Sequence, residues 1–164
     1  MATVENPFDK VRRKMVAARI EFMGQLAKFN SEELTQNPAG ESEWTPLQLA
    51  YHLYVADGLA LETMQQIQNE DNPLVEDLEE ETPRLTREAE PPASLDAVLA
   101  GMAARREELF QYVSELPDDA WERPARHPTW GQIKFYQLVN VLPTHEKMHA
   151  QQLADIKAAS EAKG

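Results

Sequence analysis

The sequence predicts an all-α protein, a four-helix bundle with one long crossover connection between its second and third helices. Apolar residues recur at steps of three and four residues in several long segments, which places them on one face of a helix. No segment shows the sustained apolar–polar alternation of a half-buried strand, and prolines beside cap residues mark where segments begin. At 164 residues and 42% hydrophobic content, the chain has the size of a single domain, residues 1–164, with one core.

The first two predicted helices begin in the same way, with a cap residue followed by proline. The first begins at Asn6–Pro7, where the missing N–H of proline costs nothing at the first helical position. Its core stripe is Phe8, Val11, Met15, Ala18, Phe22, Leu26 and Phe29. The second begins at Thr45–Pro46 and is apolar around much of its circumference near His52, as expected of an inner helix.

Residues 69–92 are interpreted as the crossover, a solvated connection, with a lid or a dimer arm as the alternatives. They read NEDNPLVEDLEEETPRLTREAEPP, which is acidic, proline-broken and without a sustained period. Ser94 then caps the third predicted helix, whose core stripe contains one charged residue, Arg105. This arginine either extends its stem over apolar surface or forms an ion pair, or it binds a substrate anion. The full stripe is Leu95, Val98, Met102, Arg105, Leu109, Tyr112 and Leu116.

The fourth helix is predicted to begin near Thr129–Trp130, and its core stripe contains two histidines. His145 and His149 lie four residues apart, so their imidazoles project from adjacent turns toward one point in the interior. One metal ion suits that geometry; the alternative is a pair of core histidines satisfied by backbone or solvent. His52 is the better third ligand because it lies inside a buried helix. His127 lies in a proline-flanked loop, where a solvated or capping histidine is expected.

Three histidines with an open position are typical of a catalytic metal site rather than a closed structural one. Residues 145–149 read HEKMH and so also match the H-E-x-x-H metalloprotease pattern, but the helix continues and no sheet is predicted. The E-x-x-H pair of Glu146 and His149 invites a di-iron site, yet Leu49 stands where a partner glutamate is needed. Glu146 is a candidate catalytic base or hydrogen-bond acceptor beside the site, with a surface carboxylate as the alternative.

Composition disfavours several kinds of partner. The 28 acidic and 16 basic residues give a net charge of -12, which repels nucleic-acid phosphates and anionic lipid surfaces. No apolar run could span a bilayer, and the N-terminal residues lack the apolar stretch of a secretory signal, so we expect a cytoplasmic protein with no nucleic-acid or membrane partner. The chain has no cysteine, so any thiol chemistry needs a thiol from another molecule.

The chain resembles the DinB-like superfamily of metal-dependent four-helix bundles, which includes bacillithiol transferases and, more distantly, mycothiol-dependent isomerases. EWTPLQLAYHLYVAD in the second helix and THEKMHAQQL near the C-terminus carry this resemblance, which spans nearly the whole chain. It implies a homodimer and a divalent transition metal, zinc or nickel, held by His52, His145 and His149. It also implies a thiol S-transferase or hydrolase that acts on a small molecule, with a low-molecular-weight thiol as a candidate cosubstrate. The alternative is a non-catalytic binding or stress-response bundle whose metal site is structural or vacant.

Overall fold

The structure, a computed structural model, describes residues 7–89 and 94–163 and forms the predicted four-helix bundle. Its elements are α1 (Pro7–Leu26), α2 (Pro46–Asn69), α3 (Leu78–Glu88), α4 (Leu95–Ser114), β1 (Pro124–His127), β2 (Gly131–Lys134) and α5 (Phe135–Lys163), with 3₁₀ turns at Glu33–Thr35 and Asp118–Glu122. The bundle consists of α1, α2, α4 and α5, in which α1 packs mainly against α5 and α2 against α4. None of the described helices is long and apolar enough to cross a membrane.

Two of the predicted helix starts are confirmed by their caps. The Thr45 side chain accepts a hydrogen bond from the Gln48 backbone N–H, and the Gln48 side chain accepts one from the Thr45 N–H, which completes a capping box. The Ser94 hydroxyl accepts from the Ala97 backbone N–H at the start of α4. The predicted cap Asn6 lies outside the described residues, and α1 is observed from Pro7.

The interpretation of residues 69–92 as solvated chain is wrong for the part that forms α3. The Asp77 carboxylate caps this helix by accepting from the Glu79 backbone N–H, and the acidic residues of its first turn interact favourably with the helix dipole. Its buried residues are Thr82 and Thr86. Because the buried face is polar, no apolar period marks this helix in the sequence. It packs against α2 and so covers one side of the bundle.

A short hairpin occupies the segment where the fourth bundle helix was predicted to begin. Strands β1 and β2 pair antiparallel, with Ala125 opposite Ile133, and α5 begins at Phe135. Both paired side chains are buried in the core, but four-residue strands are too short for their alternation to be recognised in the sequence. The hairpin also fixes the crossover, since the Val75 N–H donates to the Arg126 carbonyl at 2.9 Å.

A layer of charged side chains crosses the middle of the bundle between two apolar halves of the core. One half contains Phe135 and Met64, and the other contains Phe22 and Leu153. Each bundle helix supplies one buried or part-buried charge to the layer between them: Arg19 from α1, Asp57 from α2, Arg106 from α4 and Glu146 from α5. The layer joins all four helices by ion pairs.

The buried arginine of α4 is Arg106, so the prediction of Arg105 on the core stripe was wrong by one residue. Arg105 is half-buried; its Nη1 donates to the Tyr54 carbonyl at 3.0 Å, and its guanidinium lies 3.8 Å from the centre of the Tyr54 ring. Steps of three and four from Met102 are equally compatible with a helical stripe, and the two choices select different arginines.

Candidate metal site

His52 from α2 and His145 and His149 from α5 come together beside the charged layer. Their candidate ligand atoms all lie within 4.8 Å of one another. The Nε2 atoms of His145 and His149 are 3.0 Å apart, and the His52 ring centre lies 4.7 Å from that of His149. The spacing of four residues on α5 produces the pair, and the packing of α2 against α5 adds the third ring. All three predicted metal ligands therefore meet at one point.

Hydrogen bonds at the far side of two rings determine which nitrogen is free. The His149 Nδ1 lies 2.9 Å from the Gln152 Oε1, an acceptor, so Nδ1 carries the proton and Nε2 keeps its lone pair. The His52 Nδ1 lies 3.4 Å from the Thr86 Oγ1, whose own proton is donated to the Thr82 carbonyl at 2.6 Å. Thr86 therefore accepts from His52, and the lone pair of the His52 ring is also on Nε2.

The free nitrogens fit a metal ion. The His52 Nε2 is the buried side-chain nitrogen or oxygen that has no hydrogen-bond partner in the part of the chain that the structure describes. Unsatisfied buried polar atoms are costly and so call for an explanation. A cation held between the three imidazoles would bond to this atom and would take the place of the 3.0 Å contact between the Nε2 atoms of His145 and His149. Imidazole ligands with oriented outer hydrogen bonds are the usual set for a divalent transition metal.

Burial keeps these rings neutral. Burial, with the neighbouring imidazoles adding to it, lowers the pKa of His52 to about 3 and that of His145 to about 4. Burial also lowers the pKa of His149. A buried imidazole loses the hydration that would stabilise its charged form. The three nitrogens are thus available as ligands at neutral pH.

A groove of about 530 Å³ opens over the three histidines. Its walls combine side chains from the loop before α2, from α3 and from α5. The residues lining it besides the histidines are Ser42, Glu43, Trp44, Glu79, Pro83, Arg87, Met148 and Gln152. Trp44 lies against the His52 ring with a centre-to-centre distance of 4.8 Å, and the Arg87 guanidinium lies 5.4 Å from the Trp44 ring centre. The cluster is therefore reachable by a small molecule.

Glu146 is buried rather than a surface carboxylate, and both of its oxygens are paired. Its Oε1 accepts from the Arg106 Nη2 at 2.7 Å and its Oε2 from the Arg19 Nε at 2.9 Å. Arg106 also binds Asp57 through Nε at 3.0 Å and Nη2 at 3.2 Å. The guanidinium of Arg106, between two carboxylates, has its pKa raised by their charges although burial opposes this.

His127 is not a member of the cluster. It lies in β1, where its Nδ1 accepts hydrogen bonds from the backbone N–H groups of Thr129 and Trp130, each at 3.1 Å. The capping role expected for this residue is therefore observed, but the ring is buried rather than solvated. Sequence reasoning missed Thr86 and Gln152 as partners of the histidines. For Gln152 the spacing of three residues from His149 was an available signal; for Thr86 the sequence offered none.

Comparison with known proteins assigns the family. The model of the DinB superfamily matches residues 14–153, so the chain belongs to the DinB superfamily. Among curated protein sequences it is similar to the uncharacterized protein YuaE of Bacillus subtilis (strain 168), with 26% identity over 157 residues, covering 88% of this chain and 95% of YuaE.

Solved structures with the same fold include several relatives at low identity. One is YfiT from Bacillus subtilis, described as a probable metal-dependent hydrolase with an unusual four-helix bundle topology. It has a TM-score of 0.73 and 16% identity, and the match covers 100% of this chain and 92% of YfiT. A mycothiol-dependent maleylpyruvate isomerase matches with a TM-score of 0.63 and 17% identity over 95% of this chain and 68% of the isomerase. The colibactin self-resistance protein ClbS, solved with double-stranded DNA, has a TM-score of 0.71 and 11% identity, covering 95% and 98%.

Proposed function

We propose that this protein is a metal-dependent enzyme acting on a small molecule, either a hydrolase or a thiol S-transferase. The observation that carries the proposal is the convergence of three imidazoles, those of His52, His145 and His149, whose candidate ligand atoms lie within 4.8 Å of one another below an open groove. A purely structural site is usually closed by a fourth protein ligand, whereas a site open to a groove leaves room for a substrate. The hydrolase and isomerase among the structural relatives support a small-molecule substrate.

Held by these imidazoles, a divalent ion would supply Lewis-acid chemistry, lowering the pKa of a bound water or thiol toward neutrality. The chain's own residues hold the imidazoles in the required tautomer. Gln152 accepts from the Nδ1–H of His149 and Thr86 accepts from that of His52, so each ring is oriented with Nε2 toward the common point. Zinc or nickel remains the ion that the family resemblance predicts; imidazole ligands suit both, and they suit copper and iron as well.

Arg87 and Trp44 are the groove residues best placed to bind substrate. Arg87 is exposed and lies at the groove, and a guanidinium there would attract an anionic part of a substrate or thiol. Trp44 offers an apolar face between Arg87 and His52. A chain with a net charge of -12 needs such a local cation to hold an anion.

The role of Glu146 as a catalytic base remains a prediction, and its contacts favour a positioning role instead. Both carboxylate oxygens accept hydrogen bonds from the guanidinium groups of Arg19 and Arg106. Neither oxygen is therefore free to take a proton from a substrate. Because Glu146 directly follows His145, these bonds fix the turn of α5 that carries the ligands. The absence of a nucleic-acid partner, the homodimer and the cytoplasmic location also remain predictions.

Metal content of the purified, untagged protein tests the proposal. We expect stoichiometric zinc or nickel in the wild type and its loss in His149→Ala. His127→Phe, which changes the histidine outside the cluster, is the matched control and should retain the metal. Wild type and His149→Ala are then assayed on carboxylic esters and lactones, and with a low-molecular-weight thiol plus an aryl halide; turnover lost in His149→Ala supports an enzyme.

Two results would contradict the proposal in different ways. A wild type that binds no metal, and whose melting temperature does not change with added zinc or nickel, would make the histidines ordinary core residues. A stoichiometric metal without turnover in either assay would favour a non-catalytic bundle with a structural ion.

A further inference from the structure

A second, narrow cavity lies beneath α3 on the other side of His145. Its volume is about 40 Å³, enough for about three water-sized groups. The residues that line it are mainly apolar and come from α3 and α5, among them Leu78, Leu138 and Leu142. His145 and Glu79 line both this cavity and the groove over the metal site, so these two side chains stand between the two spaces.

His127 lines this cavity, and its Nε2 has the Asp77 carboxylate as a neighbour at 3.9 Å, beyond hydrogen-bond distance. Its side chain is 2% exposed, and its Nδ1 accepts from two backbone N–H groups, so Nδ1 cannot carry a proton. The neutral tautomer with its proton on Nε2 is the form that these contacts require. Among the described residues, that Nε2 faces Asp77 Oδ1, which at 3.9 Å is too far away for a hydrogen bond. Trp130 stacks on the ring at 4.0 Å between centres and an angle of 10°, which fixes the direction of the N–H.

The neighbouring Asp77 carboxylate explains what the Nε2–H can bind. Asp77 Oδ1 lies 3.9 Å from the His127 Nε2, beyond hydrogen-bond distance, and accepts from the Glu79 backbone N–H. Its Oδ2 accepts from the Thr129 hydroxyl at 2.9 Å. The carboxylate is thus committed to holding α3 and the hairpin. Its charge would repel an anion at the His127 Nε2–H, whereas an uncharged carbonyl oxygen could accept there.

From this arrangement we infer that the cavity is a substrate subsite that takes a small, uncharged, mainly apolar group bearing a carbonyl oxygen, with His127 Nε2–H donating to that oxygen. The size fits a group such as an acetyl tip. The inference rests on the proposed function, because the substrate would extend from the metal groove past His145 into the cavity. His127 acts here as a specificity-determining residue and transfers no proton.

Hydroxamate probes test the subsite by binding rather than turnover. Acetohydroxamate binds a metal ion and is too short to enter the cavity. Three longer probes add a ketone at increasing distance from the hydroxamate group: the 4-oxopentano-, 5-oxohexano- and 6-oxoheptano-hydroxamates. Each ketone has a matched control in which a methylene replaces the carbonyl. Dissociation constants are measured by calorimetry on the zinc-loaded wild type and on His127→Phe, which keeps the ring stacked on Trp130 but removes both nitrogens.

We expect the ketone of fitting length to bind the wild type about 3- to 10-fold more tightly than its methylene control, and this ratio to fall to about one in His127→Phe. Nitrogen-15 spectra of the wild type supply a second measurement that needs no folded variant. They should show His127 protonated on Nε2, with that proton shifting on addition of the fitting ketone but not of acetohydroxamate.

The possible failures are distinguishable. If zinc-loaded protein does not bind acetohydroxamate, the proposed function fails, and the subsite fails with it. If acetohydroxamate binds but ketone and methylene probes have equal affinities at every length and the His127 Nε2–H signal does not shift, only the subsite is overturned.

Discussion

Replacing Arg106 with methionine is expected to lower the free energy of unfolding by about 3–5 kcal/mol, the usual cost of leaving a buried charge without its partner. The Arg106 side chain is 10% exposed, and those of Asp57 and Glu146 are 5% and 4% exposed. Without Arg106, these two carboxylates share one cation, Arg19, which lies 3.3 Å from Asp57 and 2.9 Å from Glu146. This loss is a large share of the free energy of unfolding of a typical domain, which is about 5–15 kcal/mol.

Urea denaturation of metal-free protein measures this cost, and two further variants identify its cause. Arg105→Met, which removes the half-buried neighbour, should cost at most about 1 kcal/mol. Adding Glu146→Gln to Arg106→Met leaves one cation and one anion in the layer, so the double variant should be more stable than Arg106→Met alone. The reasoning is refuted if Arg106→Met costs no more than Arg105→Met, or if the second substitution lowers stability further.

Two other measurements address the histidines. Thr86→Val removes the acceptor for the His52 Nδ1–H and should weaken metal binding about 10- to 100-fold in chelator competition, whereas Thr63→Val, another buried threonine bonded to the carbonyl four residues earlier, should not. Metal-free protein should lose stability as the pH falls from about 6.5 to 4, because unfolded histidines take up protons there, while native His145 and His52 do so only near pH 4 and 3. The free energy of unfolding should fall by up to about 1.4 kcal/mol per pH unit for each histidine. Urea titrations that give the same free energy of unfolding across this pH range would contradict the prediction.

The parts of the fold that the sequence predicted well depend on local rules. The caps at Thr45 and Ser94 satisfy backbone N–H groups within three residues, so their chemistry can be recognised without tertiary structure. The spacing of His145 and His149 likewise determines that both rings face one point. The prediction of His52 as the third ligand required only that its helix lie inside the bundle, and the apolar composition of that helix indicates this.

The features that were missed depend on tertiary contacts. Helix α3 buries threonines, and its Thr86 has a role only because α2 brings His52 beside it. Arg106 rather than Arg105 is buried because carboxylates from two other helices reach it, which no spacing within α4 reveals. The hairpin has two short strands whose pairing is visible only after the chain has turned.

The charged layer and the metal site are best understood together. Removing three buried charges and one part-buried charge from water is costly, and apolar residues of similar size would often make the protein as stable. Stability alone therefore explains the layer poorly. It does align the helices, since Asp57 lies on the helix of His52 and Glu146 directly follows His145. A slip of α2 along α5 by one turn, about 5.4 Å, would unpair these charges and separate the histidines. We therefore expect Arg106→Met to weaken metal affinity as well as stability. Chelator competition on the folded variant tests this, and an unchanged affinity would show that packing alone aligns the site.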